Sequence, residues 1–208
     1  MKVLLLNGSP RGEKCTYTAL KIAAEEIEKN GIETEIINIG NKEIRGCIGC
    51  MGCVKAGKCV FGDEDGVNAF VEKMKESDAL IIGSPVHYAS ASGAITSFMD
   101  RACYSGGKYF AYKPGAAVAG CRRGGASAAL DQLNKYFTIL NMPVVSSNYW
   151  NMVHGSTPED VLKDEEGVQT MRVLGKNMAW ILKSIDIAKQ NGINHPEPES
   201  KIRTNFIR

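Results

Sequence analysis

Cys47, Cys50, Cys53 and Cys59 stand close together in GCIGCMGCVKAGKC, residues 46–59. Thiolates are soft, polarizable donors, so such a run can ligate iron or zinc, cross-link, or react with oxidants. A C-x2-C-x2-C run lets three cysteines of one loop cap three irons of a [4Fe-4S] cluster, and Cys59 follows here at C-x5-C. Structural zinc sites usually join two ligand pairs across a longer spacer. A disulfide between cysteines so near in sequence would suit a redox motif, but the thioredoxin context is missing. The spacing alone leaves three readings open: a cluster on Cys47, Cys50, Cys53 and Cys59, a zinc ion, or thiols without metal.

A second candidate is NGSPRGEKCTYT, residues 7–18. An apolar run, KVLLL, precedes it and a helical pattern follows. Backbone N–H groups at the helix start, the hydroxyls of Ser9, Thr16 and Thr18, and the guanidinium of Arg11 can converge on an anion. Gly8 and Gly12 lack the third glycine of a dinucleotide fingerprint, and no Gly-Lys-Ser/Thr closes a Walker loop. The chemistry is that of a monophosphate. Two further loops open on the same edge: SPVHY, residues 84–88, and GCRRGGAS, residues 120–127, which carries Arg122 and Arg123.

These loops need elements to position them. Short apolar strands are expected at residues 2–6, 32–39, 78–83, 115–121 and 142–147, and helices at 16–31, 66–77, 90–103, 125–141 and 166–192, with Asp65 as the cap of the second. Strand and helix in alternation mean βαβ units, a parallel sheet and right-handed crossovers. Five such strands fit a doubly wound sheet whose ligand lies past the strands' carboxyl ends, at the switch point. One domain over residues 1–190 and a C-terminal tail over 191–208 are expected. Residues 146–166, with Tyr149, Trp150 and His154, read as a long ordered loop. The tail, with two prolines and many charges, reads as a frayed end, or Ile202, Phe206 and Ile207 dock it on a partner subunit.

The 208 residues suffice for one core. A net charge of +2, from 25 basic and 23 acidic side chains without a basic run, argues against nucleic acid. Neither a signal peptide nor a membrane span is expected, so the chain reads as cytoplasmic. Seven cysteines, an odd number, do not suit a disulfide framework in a reducing compartment. Phosphatase chemistry on such a sheet needs C-x5-R, and no cysteine has arginine six positions on. A phospho-receiver needs an aspartate where the third strand ends in Gly83-Ser84.

GSPR with Thr16 after the first strand, the cysteine loop, and SPVHY with a downstream FMDR after the third strand occur in that order. In this the chain resembles the NADPH-dependent FMN reductase group of the flavodoxin-like superfamily, well over residues 1–145 and by pattern alone over the last helix. The resemblance implies an α/β fold: a flavodoxin-like, doubly wound, five-stranded parallel sheet in three α/β/α layers. It implies FMN, with its phosphate on Ser9, Arg11 and Thr16 and backbone help from residues 12–15, and its isoalloxazine against Pro85, Val86, His87 and Tyr88. Cys15 stands where relatives often carry Asn. Read from the residues themselves, Arg122 and Arg123 either favour a reduced, anionic flavin or receive the phosphate of NAD(P)H, or form a solvated basic turn. The implied activity is NAD(P)H oxidation through FMN to a small-molecule acceptor such as a quinone or free flavin. The cysteine run is similar to that of iron-sulfur flavoproteins, whose pattern implies a cluster exchanging single electrons between a ferredoxin-like protein donor and FMN. Reductases of the same group also carry such loops without a cluster. A homodimer or homotetramer is expected. The cysteine loop is expected near the flavin edge.

Overall fold

The computed structural model describes residues 1–204. Its strands show why the chain is layered. In β1 (Lys2–Asn7), Val3 and Leu5 face one core and Leu4 and Leu6 the other, all four fully buried. β3 (Ala79–His87) and β5 (Gly115–Cys121) divide the same way: Ile81 and Val118 lie on one side, Ile82 and Ala119 on the other. Strands buried on both faces read as continuous apolar runs. One face is covered by α1 (Cys15–Glu28) and α7 (Glu165–Gln190), the other by α3 (Val67–Lys75), α4 (Gly93–Gly106) and α5 (Ala126–Ile139).

With β2 (Glu33–Asn38) and β6 (Met152–His154), the sheet order is β2-β1-β3-β5-β6, parallel throughout. The chain winds outward from β1 in one direction to β2 and in the other to β3, so the switch point lies between β1 and β3.

Three expectations are corrected. The fifth strand is not at residues 142–147: Val144 makes a single bridge to Gly115, and the pairing with the carboxyl half of β5 is taken by Met152–His154. Residues 146–166 are therefore not a plain loop; they hold β6 and a short helix, α6 (Pro158–Lys163), closed by a Thr157–Asp160 capping box. β3 also runs past Gly83 to His87, then turns back through Ser90–Ala91 (β4) before α4 starts at Gly93.

α1 and α7 approach closely at Gly175, where a Cβ would lie 2.6 Å from the Ala23 carbonyl oxygen. Gly175→Val should cost about 1–3 kcal/mol through overpacking, read as a lower urea midpoint. Among the described residues no helix is long and apolar enough to cross a membrane. Ile202 is exposed; Phe206 and Ile207, the rest of the tail's apolar set, lie outside the described residues.

Candidate functional site

The loop after β1 is organised by Asn7, a fully buried polar residue at the end of an apolar strand. Its Nδ2 donates to the Gly12 carbonyl (3.0 Å) and to Asn38 Oδ1 (2.7 Å), and its Oδ1 accepts from the Ser9 amide (3.1 Å). Ser9 Oγ then accepts from the Arg11 amide at 3.2 Å, which leaves its hydroxyl proton free to donate. α1 begins without a side-chain cap at Lys14, so its first-turn N–H groups remain available to an anion.

The segment after β3 makes a two-residue hairpin. Tyr88 (φ 51°) and Ala89 (φ 58°) occupy the left-handed positions of a type I′ turn between the paired His87 and Ser90. Gln132 Oε1 fixes it by accepting from Ser90 Oγ (2.8 Å) and the Ala91 amide (2.9 Å).

These loops border one pocket at the carboxyl ends of β1, β3 and β5. The structure brings Ser9, Arg11, Thr16, Pro85, Val86, His87 and Arg122 to its wall together with Lys14, Cys121 and Ser156. Thr18, Tyr88 and Arg123 do not line it. The Thr18 hydroxyl donates to the Lys14 carbonyl one helical turn back (3.2 Å), and the Tyr88 side chain is fully exposed at the hairpin tip. Asn7 carried no sequence signal beyond being an amide in an apolar run. Ser156 was out of reach because the strand that delivers it, β6, was expected elsewhere.

The four cysteines line a second, small pocket with Ile48, Met51, Val60, Phe61, Arg101 and Tyr104. Cys47 and Cys50 are exposed, Cys53 is half-buried and Cys59 is buried. Left-handed backbone at Gly49 (φ 64°), Met51 (φ 56°) and Gly57 (φ 68°) wraps the chain around α2 (Gly52–Ala56). Among the described residues no three His, Cys, Asp or Glu side chains come together as a single-ion site.

Asp65 does not act as the expected helix cap: Gly66 holds that position, and Asp65 accepts from the Val67 amide only at 3.4 Å. Its carboxylate is drawn instead to Arg101, whose side chain is 2% exposed. Burial opposes the charge of Arg101, and hydrogen bonds with Asp65 and the Cys59 sulfur outweigh it and hold its pKa above the ordinary value.

The two pockets share no wall residue. The phosphate-type loop meets α4 at its first turn, where Ser92 Oγ donates to the Gly8 carbonyl (2.9 Å), whereas the cysteine pocket meets it near Arg101 and Tyr104. Ile95 and Tyr104 are about 13 Å apart along a helix axis.

Burial beside Asp100 pushes the Cys103 thiol up to about 12. Iodoacetamide at about pH 8 should modify it roughly 1,000-fold more slowly than a thiol of ordinary pKa, while exposed Cys47 and Cys50 react; peptide mass spectrometry reads the difference.

The sequence profile of NADPH-dependent FMN reductases matches residues 1–157. The chain belongs to that family. It is accordingly an oxidoreductase of the flavin type, with FMN and NAD(P)H as the cofactors of the family. An iron-sulfur flavoprotein of Methanocaldococcus jannaschii is 38% identical over 193 residues, covering 89% of this chain and 99% of that one. Another, of Methanosarcina thermophila, is 30% identical over 190 residues, with 89% and 97% covered. Among solved structures, the NAD(P)H:quinone oxidoreductase of Methanothermobacter marburgensis superposes with a TM-score of 0.64 at 16% identity, over 86% of this chain and 96% of that one. A flavodoxin from the Archaea gives 0.59 at 17% identity, over 88% and 99%. Both share the fold.

Proposed function

We propose that this family member binds FMN in the strand-end pocket and uses NAD(P)H to drive electrons to a small acceptor, a quinone or free flavin. The observation that carries this reading is the convergence of the β1–α1 loop, the Pro85–His87 segment and Arg122 on one pocket at the switch point.

The residues there fit the group. Ser9 and Thr16 hydroxyls, the uncapped start of α1 and the cations Arg11 and Lys14 suit a phosphate, and Pro85, Val86 and Cys121 supply apolar wall for a ring system. Bound FMN supplies hydride acceptance and electron release, and a cluster would supply single-electron exchange. The chain's own part is to bind and orient. Arg122 places a fixed positive charge on the pocket wall that favours negative charge on a bound ring or a nicotinamide nucleotide's phosphate. No side chain is assigned a proton-transfer role.

Arg11→Ala should weaken FMN binding by about 10- to 100-fold, the loss of one charge-assisted contact, as read by fluorescence titration. The reading itself is tested by adding NAD(P)H to FMN-loaded protein without oxygen. The flavin absorbance should bleach and return on addition of a quinone; protein that holds FMN yet never bleaches with either nucleotide contradicts it.

A second reading is favoured by the four cysteines sharing one pocket. A [4Fe-4S] cluster takes four thiolates, the number this pocket wall carries, and the C-x2-C-x2-C run is a spacing clusters use. On this reading Cys47, Cys50, Cys53 and Cys59 hold the cluster, and the exposed apolar Ile48, Met51 and Val54 offer a docking rim for a ferredoxin-like donor. Exposed Tyr149, Trp150 and Trp180 support assembly as a homodimer or homotetramer, which light scattering would detect at micromolar concentration.

A further inference from the structure

We propose that Arg101 is a positioning residue for the four-cysteine loop, holding it ready for its cluster and raising the cluster's reduction potential; this rests on the cluster reading above. In the sequence the arginine of FMDR marked only a resemblance. In the structure it lies outside the strand-end pocket and every donor it has points into one segment. Nη1 donates to the Arg45 carbonyl (3.1 Å) and to the Asp65 carboxylate, Nη2 to the Phe61 carbonyl (2.5 Å) and Asp65 Oδ1 (3.3 Å), and Nε to Cys59 Sγ (3.3 Å).

Residues 45 and 65 bracket all four cysteines. Arg101 therefore ties the entry and the exit of the loop to the same helix. α2 has no buried residue, and the loop's other anchor is buried Asn68, which accepts from the Cys59 amide (3.0 Å) and donates to its carbonyl (2.8 Å). A rigid five-donor fork can do this where a single ammonium cannot. Mere stability is a poor account of such a residue, since an apolar pair of similar volume often serves a buried site as well as an ion pair does. The Nε contact supplies a better one. An N–H directed at a ligating sulfur stabilises the more negative, reduced state, and hydrogen bonds to sulfur are among the features that set cluster potentials.

The test compares the full chain with Arg101→Lys and with the double variant Arg101→Gln/Asp65→Asn, which removes the charge pair without orphaning either charge. All are purified and reconstituted with iron and sulfide under strict anoxia. Iron and acid-labile sulfide per chain, the rate of iron loss to a ferrous chelator, and the cluster's midpoint potential are measured, with FMN titration as the check of folding. Folded variants should lose iron roughly 10-fold faster or more, as outer-sphere substitutions do, and titrate at a lower potential. If the lysine variant fails to bind FMN, the double variant decides. Wild-type protein that takes up no iron overturns the cluster reading and this inference with it. Iron-loaded wild type beside folded variants that match it in either measure overturns the role of Arg101 alone.

Discussion

Asp65→Ala should lower the stability of the chain by about 3–5 kcal/mol, because it leaves a buried guanidinium without its carboxylate. The Arg101 side chain is 2% exposed and that of Asp65 8%, so little solvent is available to take over the charge. A loss of that size is about a fifth or more of the roughly 5–15 kcal/mol that holds a typical domain together. Urea unfolding should show a lower midpoint. Asp65→Asn, which keeps a hydrogen-bond acceptor for the guanidinium, should lose less. An alanine variant within about 0.5 kcal/mol of wild type, the range of ordinary surface changes, would mean that the pair is not buried in solution.

Gly8→Val should cost the chain its FMN binding. A Cβ at position 8 would sit 2.7 Å from Ile95 Cβ and 2.9 Å from the Gly83 carbonyl oxygen, with the packed start of α4 on one side and the backbone of β3 on the other. Neither neighbour can give way without moving the sheet or the helix, so the loop carrying Ser9 and Arg11 must move instead. Overpacking of this kind costs about 1–3 kcal/mol in stability. The larger effect is on the pocket. The Gly8 amide donates to Gly83 at 2.8 Å and its carbonyl accepts from Ser92 Oγ, so displacement breaks the contacts that set the loop's position. FMN titration of a folded Gly8→Val variant should show no saturable binding at micromolar flavin; wild-type affinity would refute the claim that close packing places this loop.

Much of this was legible in the sequence for physical reasons. Runs such as KVLLLN and ALIIG announce strands buried on both faces, and such strands occur in parallel sheets with helices on either side. The phosphate-type loop was legible because strand end, hydroxyls and helix start are adjacent in sequence. What was not legible depended on distant partners. Met152–His154 is too short to declare itself a strand, and only the small-residue edge of β5 gives it a place. Asp65 carries a capping residue's signature, and only Arg101, 36 positions away, explains why it turns elsewhere. The separation of the two pockets was equally hidden, because loops adjacent in the alternating pattern can meet different ends of one helix.

On the proposed function, the loop between β1 and α1 grips the phosphate of FMN. Equilibrium titration of the iron-free chain with FMN and with riboflavin isolates that grip, since the two ligands differ only by the phosphate. FMN should bind about 100-fold or more tightly than riboflavin, the worth of two or more charge-assisted hydrogen bonds, and Arg11→Ala should narrow the gap. Equal affinity for the two flavins, or a gap that Arg11→Ala leaves unchanged, would contradict it.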